Sequence, residues 1–376
     1  MSPQNIYFPL VCGVAVLVLC GSGVLSLAGD FDSQLQKILQ EQTLSPQDPV
    51  ITQVLDDVRA TLDQRWQGYD LILCGSLAVG LGTLASDIDL VVKLPNFNSS
   101  AGSYVLEEIK TLFTKQPELY STLAYGRTNV SSLSTFFTFN HIPTARKTEI
   151  EFNKIGDLAI ENNKIIKYYF DLDKRYKYLC IFLKYWSKIH EVTGHKRGDL
   201  PGYALYLMII FYLQQKDMAP PAYVLQANST PYFNDGWNLG FDELPYKTTN
   251  TENLHQLLGG FFKYYSEFNF EENFVSPFAG RPIPKNAFTD INNFPKEYTL
   301  YNNTLNRTMK LAVKNDLDAE VSVQDVFMHD LNDADPISHE QAMDFKHLIK
   351  SMATMFDELP SDQVLKAILD TEKYKY

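Results

Sequence analysis

Residues 69–90 read Tyr-Asp-Leu-Ile-Leu-Cys-Gly-Ser-Leu-Ala-Val-Gly-Leu-Gly-Thr-Leu-Ala-Ser-Asp-Ile-Asp-Leu. The apolar run Leu71–Cys74 predicts a strand, and it delivers the chain to Gly75-Ser76. Glycine lets backbone approach a ligand closely, and a serine hydroxyl beside backbone N–H groups suits phosphate oxygens. After ten intervening residues, Asp87 and Asp89 flank Ile88 at the start of a second predicted strand. Alternate residues of a strand face the same side, so both carboxylates point together. Two acids on one face call for a cation. Mg²⁺ takes oxygen ligands and shares them with substrate phosphates, so an Asp-x-Asp strand beside a phosphate-binding turn suits two-metal transfer chemistry. An isolated Asp-x-Asp is more often a solvated strand edge; strand, Gly-Ser, spacer and Asp-x-Asp in order form a much rarer combination.

A third acid is expected from a neighbouring strand, to hold a metal and help deprotonate an attacking hydroxyl. The stretch Lys147-Thr-Glu-Ile-Glu-Phe-Asn153 offers Glu149 and Glu151. Period two puts both on one face, and the residues alone do not choose between them.

Working outward, Phe31–Glu41 and Val50–Trp66 carry apolar residues at helical spacing, with Pro46 and Pro49 breaking between them. Leu133–Phe139 and Glu149–Phe152 predict further strands, and Tyr104–Thr114 a helix. Beyond Lys164 the pattern turns helical, in segments containing RYKYLCIFLKYWSKI, YALYLMIIFYLQQ, NLHQLLGGFFKYYSEF and EQAMDFKHLIKSMATMF. Ala219–Pro221 and Val275–Phe294 read as loops. The expected division is a sheet-bearing catalytic domain over 47–165 and a helical domain over 30–46 and 166–376, preceded by an apolar segment, 1–29.

The chain has 376 residues, 45% of them hydrophobic, with 24 Phe and 22 Tyr, which is ample for two packed cores. Its net charge of −12 argues against holding nucleic acid by an overall basic surface. Any local grip would fall on Arg146-Lys147, on the run Lys164, Lys167, Lys174, Arg175 and Lys177, or on Lys196-Arg197; a solvated helix surface explains the run equally well. The four cysteines, Cys12, Cys20, Cys74 and Cys180, have no paired spacing and read as reduced thiols, so a metal here would need oxygen ligands. Ile6–Gly29 holds no charge. It is long enough for a membrane span and resembles a secretory signal without its basic start.

The order GS…SDIDL, EIEFN, ENNKII, LKYWSK, LPGYALYLMIIFYLQ, LLGGFFKYYSEFNF and VQDVF resembles the non-canonical poly(A) polymerases and terminal uridylyltransferases of the DNA polymerase β-like superfamily, over about residues 50–355. The resemblance implies an α+β architecture: a polymerase β-like nucleotidyltransferase palm with a small mixed sheet, and a mainly helical poly(A)-polymerase-associated domain. It implies template-independent addition of AMP or UMP to an RNA 3′ end, with NTP (ATP or UTP) as donor and Mg²⁺ as cofactor, Mn²⁺ substituting. The nearest alternative is a degenerate member that binds nucleotide or RNA as a scaffold.

Carried onto this sequence, the resemblance implies Asp87, Asp89 and Glu149 as catalytic metal ligands. It implies Gly75, Ser76, Asn162, Lys184, Lys188 and Tyr203 as nucleotide-binding residues, the lysines on the triphosphate and the tyrosine stacked on the base. Several positions depart from the family pattern. Glu149 stands where aspartate is usual, Gly202 where a serine precedes the tyrosine, and Lys154 where a second asparagine follows Asn153. Where uridylyltransferases carry His-Asn, the alignment puts Leu331-Asn332, with His329 two residues earlier and within reach of a loop shift. ATP then becomes at least as good a donor as UTP. Nothing in the sequence resembles a separate RNA-binding module, which implies an RNA-binding protein partner. The substrates imply a cytoplasmic location, with membrane association through residues 6–29 as a further expectation.

Overall fold

The computed structural model describes residues 30–95, 102–127, 135–152, 156–193, 198–234, 236–289, 294–305, 319–335 and 337–370. The expectations for residues 6–29, Asn153-Lys154 and Lys196-Arg197 lie outside them.

Two helices lead into the fold. Helix α1 (Phe31–Gln42) starts where Asp30 accepts the Ser33 N–H, and α2 (Pro49–Leu62) where Asp48 accepts the Val50 N–H with proline in the first turn. A five-stranded sheet follows: β1 (Asp70–Cys74), β2 (Ile88–Lys93), β3 (Tyr120–Arg127), β4 (Thr135–His141) and β5 (Arg146–Phe152), in the order β1-β2-β5-β4-β3. Only the β2–β5 pair is parallel. The one-turn helix α3 (Gly75–Ala78) follows β1, and α4 (Gly102–Thr114) joins β2 to β3.

Strand alternation gives the sheet two unlike faces. Ile88, Leu90, Val92, Phe137, Phe139, Ile150 and Phe152 pack into one core with Ile51, Val54 and Val58 of α2 and Ile109 and Phe113 of α4. The intervening residues, Asp89 and Glu149 among them, point the other way. Strand β3 was not among the sequence-based expectations. It is an outer strand with Ser, Thr and Gly among its eight residues and a register shift between Ser121 and Ala124, so it lacks clean alternation.

The second core is helical: α5 (Gly156–Asp171), α6 (Lys174–Ile189), α7 (Gly202–Gln215), the short α8 (Ala222–Gln226), α9 (Leu254–Glu267), α10 (His339–Glu358) and α11 (Ser361–Ile368). Helix α7 is buried at every position from Ala204 to Gln214, as its continuous apolar run requires. Helix α1 joins this core through Phe31, Leu35, Ile38 and Leu39, and Gln34 Nε2 donates to Asp362 O at 2.9 Å. Leading helix α2, by contrast, belongs to the sheet. The expected loop over Val275–Phe294 holds part of a small hairpin, Asn273–Phe274 with Ile283–Pro284, and a 3-10 turn at Lys285–Phe288. Among the described residues no helix is long and apolar enough to cross a membrane.

Candidate active site

Strand β1 ends at Gly75, whose φ of +64° favours glycine. A Cβ added there would fall far inside contact distance of Asp89 Oδ2, so the glycine is also what lets the neighbouring carboxylate occupy its place. The antiparallel β1–β2 register pairs Cys74 with Asp89, which brings the turn and the acid together. Ser76 is buried directly after the turn.

The parallel β2–β5 register sets Asp89 beside Glu149 and Val91 beside Glu151. Both glutamates share the aspartate's face, but Glu149 is the one level with it, while Glu151 stands one pair further along. Burial, and then the negative charges of Asp89 and Glu151, push the Glu149 carboxyl up to about 7; Lys147 opposes the shift and Asp87 adds to it. Lys147 Nζ lies 3.1 Å from Asp87 Oδ2 and supplies counter-charge at the cleft edge.

Asp87, Asp89 and Glu149 fit a hard divalent cation by donor chemistry, since all are carboxylates and their mutual repulsion is relieved by positive charge. They do not form a ready-made cage: among the described residues no three His, Cys, Asp or Glu side chains are gathered closely enough to hold a metal ion.

Helices α5, α6 and α7 form the opposite wall of a cleft of about 250 Å³, into which Asp87 and Asp89 face. Lys184 and Lys188 share one side of α6 and both line it. Lys184 is 8% exposed and donates to Leu81 O at 3.1 Å and Ser86 Oγ at 2.7 Å. Burial draws its ammonium down to about 8, and burial also lowers Lys188, against the pull of Asp87. Tyr203 opens α7 on the same cleft. Its hydroxyl is held well above the usual phenol range by burial and by Asp325 and Asp333. Gly202 beside it is exposed, with open space where a Cβ would go.

Two sequence-based expectations need correction. Asn163, not Asn162, lines the cleft. Asn162, its neighbour on α5, is half-buried, with its Oδ1 buried and without a hydrogen-bond partner. His329 is not at the nucleotide cleft. It is buried in an aromatic cage, with ring centroids 3.9 Å from Phe278, 4.6 Å from Tyr301, 5.2 Å from Trp237 and 5.3 Å from Tyr298. Burial lowers its imidazole to about 3, so it packs as a neutral ring. Asn332 is structural as well: its side chain accepts from Val323 N (2.9 Å) and Ala334 N (3.0 Å) and donates to Val321 O (3.1 Å).

The basic run on α5 and α6 is largely neutralised. Lys164 pairs with Glu161, Lys167 and Lys177 both with Asp171, and Arg175 with Asp173 at 2.7 Å while also donating to Asn250 O and Glu252 O. Sequence reasoning missed Tyr206 and Ser86. Tyr206 stands three residues after Tyr203, one helical turn along the same wall, and helical spacing pointed to it. Ser86 directly precedes the first aspartate, and its burial is what marks it.

Comparison with known proteins matches residues 31–171 to the family described as poly(A) RNA polymerase, mitochondrial-like, central palm domain, and residues 253–330 to Cid1 family poly A polymerase. Human terminal uridylyltransferase 7 is 29% identical over 241 residues, 59% of this chain and 16% of that protein. Terminal uridylyltransferase cid1 of Schizosaccharomyces pombe is 30% identical over 218 residues, 56% of this chain and 52% of that protein. The chain thus spans from about a sixth to about half the length of these relatives. Among solved structures, mtPAP in complex with UTP superposes with a TM-score of 0.72 at 19% identity, covering 91% of this chain and 73% of that one. The Cid1 poly(U) polymerase with Mg 3′-dATP bound gives 0.71 at 18% identity, covering 91% and 98%. At that identity the likeness establishes the fold, an α+β architecture of a small mixed sheet and a helical domain.

Proposed function

We propose that this chain, which belongs to the family of non-canonical poly(A) polymerases and terminal uridylyltransferases, transfers nucleotidyl groups from NTP to an RNA 3′ hydroxyl without a template. The observation that carries the reading is the pairing of two unlike walls. Asp87 and Asp89 face Lys184, Lys188 and Tyr203 across one cleft, and the strand register sets Glu149 beside Asp89.

Asp87, Asp89 and Glu149 are the residues that would hold Mg²⁺, with Mn²⁺ as substitute. Bound there, the ion supplies charge neutralisation at the α-phosphate and acidifies the attacking hydroxyl. Lys184 and Lys188 are point charges for the β and γ oxygens, and Tyr203 offers an aromatic face to the base. Burial of Lys184 strengthens its attraction for phosphate, because water screens it poorly there.

No histidine of the described residues stands at this cleft to read a uracil edge, so ATP is proposed to be accepted at least as well as UTP. RNA selection is assigned to a separate RNA-binding protein, consistent with the net charge of −12. Because the reaction needs NTP and RNA, the activity is assigned to the cytoplasm, with residues 6–29 proposed as a membrane attachment. A nucleotide- or RNA-binding scaffold is the second reading, favoured by Glu149 where aspartate is usual and by Gly202 where a serine is usual.

Primer extension on a labelled oligo-RNA, with Mg²⁺ and each NTP separately, tests the proposal against an Asp87→Ala/Asp89→Ala control. Extension lost in the double variant is the expected result. A folded protein that binds NTP yet extends nothing, with Mg²⁺ or Mn²⁺, supports the scaffold.

A further inference from the structure

The Ser86 hydroxyl is buried, and four groups converge on it: Lys184 Nζ at 2.7 Å, Thr83 N at 2.8 Å, Thr83 Oγ1 at 3.2 Å and Ser76 Oγ at 3.3 Å. A hydroxyl has one proton and two lone pairs. The two shortest contacts come from obligate donors, the ammonium and a backbone N–H, and they fill the lone pairs. The Ser86 proton is then directed to Thr83 Oγ1, and Ser76, at the greatest distance, is the member held most loosely. Lys184 has one further acceptor, Leu81 O at 3.1 Å. Both acceptors belong to the loop between α3 and β2, and the residue after Ser86 is Asp87. One oxygen therefore joins the ammonium of the helical wall, the Gly-Ser turn and the strand that carries the carboxylates.

We propose that Ser86 is a positioning residue that aims the Lys184 ammonium at the β and γ phosphates, acting through Lys184 and not on the nucleotide itself. The inference rests on reading the cleft as an NTP site. A lysine side chain has four rotatable bonds and, left to itself, samples many directions. Here two of its three N–H groups are spent on neutral oxygens, which fix its direction without cancelling its charge, and the third is left for a phosphate oxygen. A carboxylate in place of Ser86 would orient the ammonium equally well but neutralise it.

The test is equilibrium binding of a non-hydrolysable NTP analogue, and of the corresponding nucleoside, to the full chain and to Ser86→Ala, Lys184→Met and the double variant, with melting temperatures to establish folding. Ser86→Ala is expected to weaken triphosphate binding about ten-fold. It should leave nucleoside affinity within about two-fold, and cost less than about two-fold once Lys184 is methionine. Ser86→Cys, similar in size but a poor acceptor, carries the same expectation if the alanine variant does not fold. A loss shared by the nucleoside, or one of equal size in both lysine backgrounds, overturns the inference and leaves the nucleotide site standing. An unmodified protein that binds no NTP removes the site and the inference together.

Discussion

On the sheet wall of the cleft, functional and core side chains alternate along each strand: Ile88, Asp89, Leu90 on β2 and Thr148, Glu149, Ile150 on β5. On the helical wall there is no such sorting, because α6 and α7 are wrapped by neighbours and Lys184 and Tyr206 sit among residues as buried as themselves. The sheet wall depends on local geometry that strand pairing enforces. The helical wall depends on which helix packs against which. Changes on the first should therefore act on chemistry and on the palm itself, and changes on the second mainly on the nucleotide.

The largest expected effect is on the sheet wall. Asp87→Ala with Asp89→Ala should lower kcat by about a thousand-fold or more, measured by primer extension, with the melting temperature little changed. Gly75→Ala comes next: the left-handed φ and the collision with Asp89 should cost about 2–3 kcal/mol in denaturant unfolding and displace the carboxylate, so activity falls as well. A variant that keeps full activity would show that Asp89 need not lie against the turn. On the helical wall, Lys188→Ala is expected to raise KM for NTP about ten-fold while changing kcat little. An equal fall in kcat would erase the contrast between the walls.

Burial lowers His190, His255 and His329 in the helical domain, and one histidine in the sheet domain gives a pH effect that a single substitution can isolate. His141 is fully buried, with Nε2 3.0 Å from Asp57 Oδ2 and Nδ1 2.8 Å from Thr144 Oγ1. Burial holds its imidazole below the ordinary 6.5, and Asp57 opposes that only in part. The unfolded chain therefore binds the extra proton more readily. This contribution to stability is complete above about pH 6.5 and is lost as the pH falls through that value towards the folded pKa. The melting temperature should drop by roughly a few degrees between about pH 7.5 and 5.5, and the drop should shrink in His141→Asn. The smallest effect belongs to Gly202→Ser, which enters open space at the start of α7 and should lower KM by roughly two- to five-fold by adding one phosphate hydrogen bond. An unchanged KM would mean that the triphosphate does not pass that residue.

Strand period by itself put Asp87 and Asp89 on one side, because side chains alternate whatever the sheet around them. Helical spacing likewise found α1, α2, α6, α7, α9 and α10 to within a few residues. The order of motifs carried a family resemblance that the matches over residues 31–171 and 253–330 repeat. What no period could choose was decided by pairing and packing. The parallel β2–β5 register selects Glu149 over Glu151 as the neighbour of Asp89, since two residues on one face differ only in what lies across from them. On α5 Asn163 lines the cleft where the motif pointed to Asn162, a choice between adjacent residues that motif order does not make. Four aromatic rings take His329 into the core, a contact between segments far apart in sequence that residue spacing does not encode.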